Sequence, residues 1–350
     1  MANRRQFIGT AFSGTVAALL PNLGRANSKP SYETDLIKPK RLRKGDTIGL
    51  IAPGYAIHPT ILEDAKKTLR SMGFKPYHTN RVLGNYGYLS NTDEERAKDL
   101  NEMFANPKID GILCARGGYG CTRIMQMIDY ESIRKNPKTF IGFSDITALL
   151  NGIHQRTGLV TFHGPVGSTL NDPYSISQLE KVVMFPKEPL EIQNIELLKP
   201  ELTTNPEFER YTITEGSATG KLVGGSLTLI NALIGTADEI DFTNAIVCIE
   251  DVEEAPYRID RMLTQLLEGK TFKHAAGILI GVCAGCNEST NPISFSLKEV
   301  IMDRIKPLGI PAMYGMSFGH VENNFTFPIG IKATMDATKM NLQLLEKAVL

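Results

Sequence analysis

Short apolar runs alternate with amphipathic stretches over the first half of the chain. The apolar runs are TIGLIA (47–52), GILCA (111–115), TFIGF (139–143) and LVTFH (159–163). The stretches 61–73 and 94–107 place apolar residues at helical spacing. Near-continuously apolar strands that alternate with helices are typical of a parallel sheet covered on both faces. The pattern predicts an α/β fold in which ligands gather at the carboxyl ends of the strands.

The strand–helix alternation is lost between residues 171 and 216, where prolines are frequent. The prolines are Pro173, Pro186, Pro189, Pro200 and Pro206. We interpret 173–215 as a linker between an N-terminal domain (40–172) and a C-terminal domain (216–345). The second half again alternates strands with helices, but its ends are richer in glycine. A second, more β-rich α/β unit is expected there.

The first thirty residues differ in composition from the rest of the chain. Arg4 and Arg5 precede a moderately apolar stretch from Phe7 to Leu20, and small residues follow. This layout is typical of an export signal, and the arginine pair favours the twin-arginine route to the periplasm. The apolar stretch is too short to span a bilayer, so no stable membrane span is expected after processing. The competing interpretation is an N-terminal arm of a cytoplasmic protein.

Charge and cysteine content narrow the choice of function. The 350 residues are 42% hydrophobic and 22% charged, and 38 Lys and Arg balance 38 Asp and Glu, so nucleic-acid binding is not expected. Five cysteines are an odd and sparse set, which argues against a disulfide framework. Cys283 and Cys286 form a single CxxC pair, whereas a zinc site needs four ligands. Metal binding is therefore only a weak interpretation of this pair, structural packing is favoured over a redox pair in an exported protein, and no cofactor is predicted.

One glycine-rich turn, in GILCARGGYGCTRIM (111–125), suggests a nucleophile. Gly118 and Gly120 permit the positive φ angles of a tight strand-to-helix corner, with Cys121 at the start of the helix. A helix N-terminus favours a thiolate, and the N–H groups of this turn could bind an oxyanion. Glycine-rich turns also cradle phosphates, and many serve only as tight turns.

A nucleophile needs a base and a group that orients the base. His320, in FGHVENN, has a polar, glycine-flanked setting that suits a site residue, whereas His163 ends a buried run and suits a satisfied core histidine. Glu250 and Asp251 end the apolar run AIVCIED, where a carboxylate is costly unless it is paired or functional. Spacing alone does not choose among these residues.

Seven strings together resemble the LD-carboxypeptidase family, which includes murein tetrapeptide carboxypeptidases and microcin-resistance relatives. They are GDTIGLIAPG, ARGGYGCTRIM, FIGFSDITALL, FHGP, LVGGSLTLINALIGT, IEDVEEAPYRIDRML and GHVENNFTFPIG, in order between residues 42 and 333. The resemblance implies a Rossmann- or flavodoxin-like parallel-sheet N-terminal domain and a β-rich α/β C-terminal domain. It also implies a homodimer and a metal-independent serine, histidine and glutamate hydrolase that removes terminal D-alanine from murein tetrapeptides.

Carried over residue by residue, the resemblance assigns the serine of RGGYGS to Cys121. It assigns the glutamate to Glu250, although Glu253 and Glu254 lie close by, and the histidine to His320. Cysteine in place of serine is one departure from the family, and the proline-rich segment 187–215 is a second.

Three interpretations of the cysteine compete. In the first, which we adopt as the prediction, Cys121 is a working nucleophile, and its sulfur, His320 and Glu250 form a chain of contacts. In the second, cysteine in place of serine has inactivated the site, and the protein is a muropeptide-binding pseudoenzyme. In the third, Ser144 of GFSD is the nucleophile, although Ser144 or Asp145 could simply cap the following helix.

Three further side chains are secondary candidates for binding the carboxylate of a peptide. Tyr257 and Arg261 share one face of a predicted helix, where a solvated, ion-paired surface is the competing interpretation. Arg116 lies beside the glycine turn. The alternative substrate, implied by the microcin-resistance relatives, is another amide-linked peptide conjugate.

Overall fold

Two mixed β-sheets form the framework. The structure, a computed structural model, describes residues 35–196, 204–287, 291 and 293–350. Its strands are β1 (Thr47–Ile51), β2 (Lys75–Tyr77), β3 (Gly111–Cys114), β4 (Thr139–Gly142), β5 (Thr161–His163), β6 (Leu190–Ile192), β7 (Tyr211–Thr214), β8 (Ser217–Ser226), β9 (Ala245–Glu250), β10 (Gly277–Gly281), β11 (Ala312–Met316), β12 (Phe327–Ile329), β13 (Lys332–Asp336) and β14 (Asn341–Leu344).

Helices cover the sheets. The α-helices of the described residues are α1 (Pro59–Ser71), α2 (Asp93–Ala105), α3 (Cys121–Ile124), α4 (Tyr130–Lys135), α5 (Thr147–Thr157), α6 (Pro173–Val183), α7 (Leu227–Leu233), α8 (Pro256–Glu268) and α9 (Leu297–Ile305). Short 3₁₀ helices span Asn80–Leu83, Met125–Met127, Ser144–Ile146, Pro206–Phe208, Phe272–His274 and Lys306–Leu308.

The first sheet has the order β12-β5-β4-β3-β1-β2. Its five N-terminal strands are parallel, with Leu50 opposite Leu113 and Leu113 opposite Ile141. Strands β1, β3, β4 and β5 are almost wholly buried, as their continuous apolar sequence predicts. The carboxyl ends of β1, β3, β4 and β5 therefore meet at one edge.

The second sheet has the order β6-β14-β13-β8-β9-β10-β11-β7. Strands β8 to β11 form its parallel centre, and antiparallel strands flank it on both sides. Strand β12 lies in sequence between β11 and β13 of this sheet but joins the first sheet, where Phe327 pairs antiparallel with His163. The connection between β11 and β12 therefore runs from one sheet to the other.

The described parts of segment 173–215, interpreted as a linker with some short extended structure, contain one α-helix, two strands and a 3₁₀ turn. Pro173 begins α6, with the side chain of Asp172 accepting the Ser175 N–H as an N-cap. Proline in the first helical turn is favourable because its missing N–H has no helical partner there in any case. Strands β6 and β7 form opposite edges of the second sheet. A segment that has prolines at the start of a helix and near edge strands therefore has the same composition as a linker.

Residues Glu33–Leu350 pack as one compact unit. The domain boundaries near residues 172 and 216 stay a prediction, and the export signal of residues 1–30 lies outside the described residues. Within the described ranges, no helix combines the length and apolar character needed to cross a bilayer.

Candidate active site

Ser144 occupies a tight corner at the carboxyl end of β4. Its φ of 63° is rare for a residue with a side chain, while Phe143 before it is extended and a 3₁₀ turn follows. Such a strand-to-helix elbow projects its side chain from the edge of a sheet. The adjacent loop leaves room for the Ser144 side chain only because residue 117 is glycine. A Cβ atom at that position would lie 2.7 Å from the Ser144 Cβ. Neither Ser144 nor Asp145 caps α5 or its preceding turn.

A hydrogen-bonded chain connects Ser144 to a buried carboxylate. The Ser144 Oγ lies 3.0 Å from His320 Nε2, and His320 Nδ1 lies 2.8 Å from Glu250 Oε2. Ser144 and His320 are partly exposed, whereas Glu250 is fully buried. The three side chains have the geometry that a hydrolytic triad requires of its nucleophile, base and orienting acid.

The electrostatics of these three residues favour a proton on Nδ1 of His320 and none on Nε2. Burial raises the pKa of Glu250. The neighbouring His320 and His163 lower it by more than burial raises it, so the pKa of Glu250 is about 2. Burial lowers the pKa of His320, and the Glu250 carboxylate more than offsets this, so the pKa of His320 is raised. Because Glu250 is ionised, it accepts the proton of Nδ1 and leaves Nε2 free to accept the Ser144 hydroxyl proton.

His163 lies behind the carboxylate. Its Nε2 is 3.7 Å from Glu250 Oε1, its ring stacks on Phe327 at 4.5 Å, and the side chain is fully buried. Neither ring nitrogen of His163 has a hydrogen-bond partner in the described structure. His163 is a core histidine, as the sequence interpretation has it, but it is fully buried and lies against the acid of the candidate site.

The structure does not bring Cys121 to the histidine, so the predicted contact of Cys121 with His320 is wrong. Cys121 does begin α3, but its side chain is fully buried in the apolar core, and burial raises the pKa of its thiol well above the usual value. Its backbone N–H donates to Asp145 Oδ2 at 2.8 Å. A thiol in this position is a packing group, and Ser144 takes the place predicted for it.

The glycine turn has the predicted backbone conformation but a different role. Gly118 and Gly120 have φ values of 116° and 120°. A Cβ atom on Gly118 would lie 2.5 Å from the Tyr55 ring. The buried Asp145 carboxylate ties this turn to the Ser144 corner through Cys121, and burial raises the pKa of Asp145.

The secondary candidates lie on the surface. Arg116 is exposed, with its guanidinium 5.4 Å from the Tyr55 ring centre. On α8, Tyr257 is 57% exposed and has the Arg261 guanidinium 5.7 Å from its ring centre. No hydrogen bond of these three side chains to the Ser144, His320 and Glu250 chain is present.

A separate cleft of about 960 Å³ lies beside the loop that follows Glu250. Glu253, Tyr257, Arg258, Gly285 and Phe295 are among the residues that line it. In the described part of the chain, no cluster of His, Cys, Asp and Glu side chains is suited to hold a metal ion.

Comparison with known proteins identifies the family. The model of the LD-carboxypeptidase N-terminal domain matches residues 48–164, and the model of the C-terminal domain matches residues 219–335. The chain belongs to the LD-carboxypeptidase family. The predicted membership and the predicted α/β fold are both confirmed.

Individual members of the LD-carboxypeptidase family resemble the chain over most of its length. A probable murein peptide carboxypeptidase of Bacillus subtilis (strain 168) is 41% identical over 306 residues, covering 86% of this chain and 92% of the relative. A murein tetrapeptide carboxypeptidase of Pseudomonas aeruginosa is 30% identical over 299 residues, covering 84% and 94%. The crystal structure of an MccF-like protein from Bacillus anthracis superposes with a TM-score of 0.78 at 30% identity, covering 88% of this chain and 99% of that one.

Proposed function

We propose that this protein is an LD-carboxypeptidase that removes the terminal D-alanine from murein tetrapeptides, with Ser144 as the nucleophile. The observation that carries the proposal is the continuous chain from Ser144 Oγ through the His320 ring to Glu250, with steps of 3.0 Å and 2.8 Å. The murein peptide carboxypeptidases of Bacillus subtilis and Pseudomonas aeruginosa support the substrate class.

In the first half of the reaction, Ser144 Oγ attacks the carbonyl carbon of the scissile amide while His320 Nε2 takes the hydroxyl proton. The resulting imidazolium is stabilised by the Glu250 carboxylate, which holds the Nδ1 proton. When the tetrahedral intermediate collapses, the C–N bond breaks and the imidazolium gives its proton to the leaving amine of D-alanine. The tripeptide remains as an ester on Ser144.

In the second half, water attacks the ester carbonyl and gives a proton to His320 Nε2. Collapse returns that proton to Ser144 Oγ and releases the tripeptide acid. The backbone N–H groups of Asp145, the residue after the nucleophile, and of the adjacent Gly117 turn are the proposed oxyanion donors. This replaces Gly118 and Gly120, which the sequence favoured for that role.

Two parts of the wider proposal rest on the sequence. The twin-arginine-like signal would deliver the enzyme to the periplasm, where its substrate is found, and D-alanine release there would serve murein recycling. The homodimer implied by the family resemblance stays a prediction.

A second candidate function is hydrolysis of another amide-linked peptide conjugate. It is favoured by the likeness to the MccF-like protein of Bacillus anthracis. The muropeptide-binding pseudoenzyme, by contrast, depended on cysteine at the nucleophile position, and Ser144 removes that reason for it.

A pair of substitutions tests the proposed nucleophile. Ser144→Ala removes the attacking oxygen, so release of D-alanine from a murein tetrapeptide should fall on the order of 10⁴- to 10⁶-fold in kcat, as in comparable triads. Cys121→Ala removes only a core sulfur and should keep kcat within a few-fold of wild type. The release of D-alanine, measured by chromatography, is the assay.

Iodoacetamide supplies an independent check, since a buried thiol should not be alkylated and activity should persist. Loss of activity in Cys121→Ala with a wild-type melting temperature, together with an active Ser144→Ala enzyme, would overturn the assignment. Hydrolysis of a peptide–nucleotide conjugate in preference to the tetrapeptide would favour the second candidate function.

A further inference from the structure

Three tyrosines from three different loops form a cluster beside Ser144. Tyr55, Tyr88 and Tyr119, which we call the tyrosine ledge, have ring centres 5.5 Å and 5.7 Å apart in succession. Tyr88 is 56% exposed and Tyr119 45% exposed, so the cluster forms an aromatic patch at the surface.

The ledge is continuous with the catalytic corner. Gly117 lies so close to Ser144 that a Cβ atom on it would be 3.0 Å from Ser144 Oγ. A Cβ atom on the next residue, Gly118, would be 2.5 Å from the Tyr55 ring. One residue of chain therefore separates the nucleophile from the inner end of the ledge. A substrate that extends from Ser144 over Gly117 and Gly118 would reach the Tyr55 end of the ledge.

A buried arginine holds all three loops in place. The Arg96 guanidinium, 2% exposed, donates to the carbonyl oxygens of Pro53, Asn91 and Gly120, each within three residues of one ledge tyrosine. The Ala56 N–H also donates to the Tyr88 carbonyl at 3.0 Å. The ledge is thus preorganised, and a ligand would not have to order it on binding.

The position of the ledge fits the acyl side of the substrate. A carboxypeptidase releases one residue, so the remainder of the substrate lies on the acyl side and needs an open surface. Three extended residues span roughly 10 Å, so the acyl part of a tetrapeptide is long enough to extend from Ser144 beyond the glycine turn. In murein the group attached beyond those residues is an N-acetylated amino sugar.

The ring geometry favours a sugar over a flat base. Tyr55 and Tyr88 are inclined at 58°, and Tyr88 and Tyr119 at 63°. A nucleobase sandwich needs nearly parallel faces, which this set does not offer. A pyranose ring presents C–H groups to an aromatic face and hydroxyls at its edge, and tyrosine matches both with its ring and its phenol oxygen.

We propose that the tyrosine ledge is a subsite for the amino sugar of a sugar-bearing murein tetrapeptide. This rests on the proposed function, since it places the sugar on the acyl side of the bond at Ser144. The exposed Arg116 guanidinium over Tyr55 adds a cation beside the path of the acidic peptide.

Binding to the Ser144→Ala protein tests the ledge without hydrolysis. Calorimetry would compare the free tetrapeptide with the same peptide on N-acetylmuramic acid, and the sugar should tighten Kd by about tenfold. Tyr88→Ala, and separately Tyr119→Ala, should abolish that preference, and Tyr88→Phe should keep most of it. Tyr77→Ala is the matched control, because Tyr77 is 41% exposed but lies on the edge strand β2, where it pairs with Gly49 in the middle of β1.

An unchanged preference in both alanine variants, or no preference in the parent protein, would overturn the subsite. So would adenosine monophosphate binding that depends on Tyr88 while the sugar adds nothing, which would assign the ledge to a nucleobase. The readout is binding, so absence of turnover in the wild-type enzyme would count against the proposed function alone.

Discussion

At the scale of single residues, Glu250 determines the chemistry of the site. It is fully buried between two imidazoles, with His320 on one oxygen and His163 near the other. A buried carboxylate is costly to ionise unless such partners stabilise it. Here the histidines outweigh the cost of burial, and the pKa of Glu250 falls to about 2.

The pH profile should report this coupling. His320 acts as a base only when neutral, and its pKa is raised above 6.5, so kcat/KM should be lost as the pH falls through that raised value. Glu250→Gln removes the charge that raises it, so the acidic limb should move to lower pH while kcat drops on the order of 10⁴-fold. Measurement of kcat/KM from acidic to alkaline pH checks both effects.

Glu253→Gln is the matched control for this profile. Asp251 and Glu253 also raise the pKa of His320, but each raises it by less than Glu250 does. The limb should therefore move less in this variant. If the acidic limb of the kcat/KM profile does not move in the Glu250→Gln variant, the protonation of His320 does not determine that limb.

At the scale of elements, the site is built from strand ends and one buried link between a helix and a strand. Asn151 on α5 is 2% exposed and donates to the carbonyl oxygens of Thr147 and Gly224, while its own oxygen accepts the Gly224 N–H. Gly224 lies near the end of β8, whose last residue, Ser226, pairs with Glu250. The helix that follows Ser144 is thereby tied to the strand beside Glu250.

Removal of this amide should destabilise the fold. Asn151→Ala leaves the Gly224 backbone groups buried without partners, so the free energy of unfolding should fall by about 2–4 kcal/mol. Asn231→Ala, where the amide donates only within α7 to Leu227, should cost below about 1 kcal/mol. Urea denaturation measures both, and equal losses would contradict the role of the Asn151 link.

At the scale of the whole molecule, the two sheets supply different members of the site. Ser144 follows β4 of the first sheet, Glu250 ends β9 of the second, and His320 lies on the connection from β11 to β12 that joins the sheets. Helix α6 supports this connection, since the Asn324 N–H donates to Ser175 Oγ at 2.9 Å. Part of the segment interpreted as a linker thus helps to hold the connection that carries His320.

The proposed export concerns the entire chain. Replacement of Arg4 and Arg5 by lysines should leave the precursor in the cytoplasm, because the twin-arginine pair is the export determinant. Cell fractionation with an antibody to the protein measures this. Wild-type protein found only in the cytoplasm would contradict periplasmic export, and unchanged export of the lysine variant would contradict the twin-arginine route.

The sequence by itself determined the alternation of strands and helices, the family, and the glutamate and histidine of the candidate site. Apolar periodicity is a local signal that predicts the strands and helices, whereas Glu250 and His320 are assigned through the family resemblance, because spacing alone does not choose among the candidate residues. The CxxC cysteines, like Cys121, have no visible role and are buried as free thiols. The Pro-rich segment misled because proline marks a helix start as readily as a loop.

Only the tertiary structure decided which side chain faces the histidine. Cys121 and Ser144 both lie at glycine-containing strand-to-helix corners, so local sequence cannot separate them. His320 follows Ser144 by 176 positions, and the tertiary packing places its Nε2 3.0 Å from Ser144 Oγ and leaves the Cys121 sulfur in the core. The direction of a side chain at a corner depends on the elements packed against it, and those come from the far end of the chain.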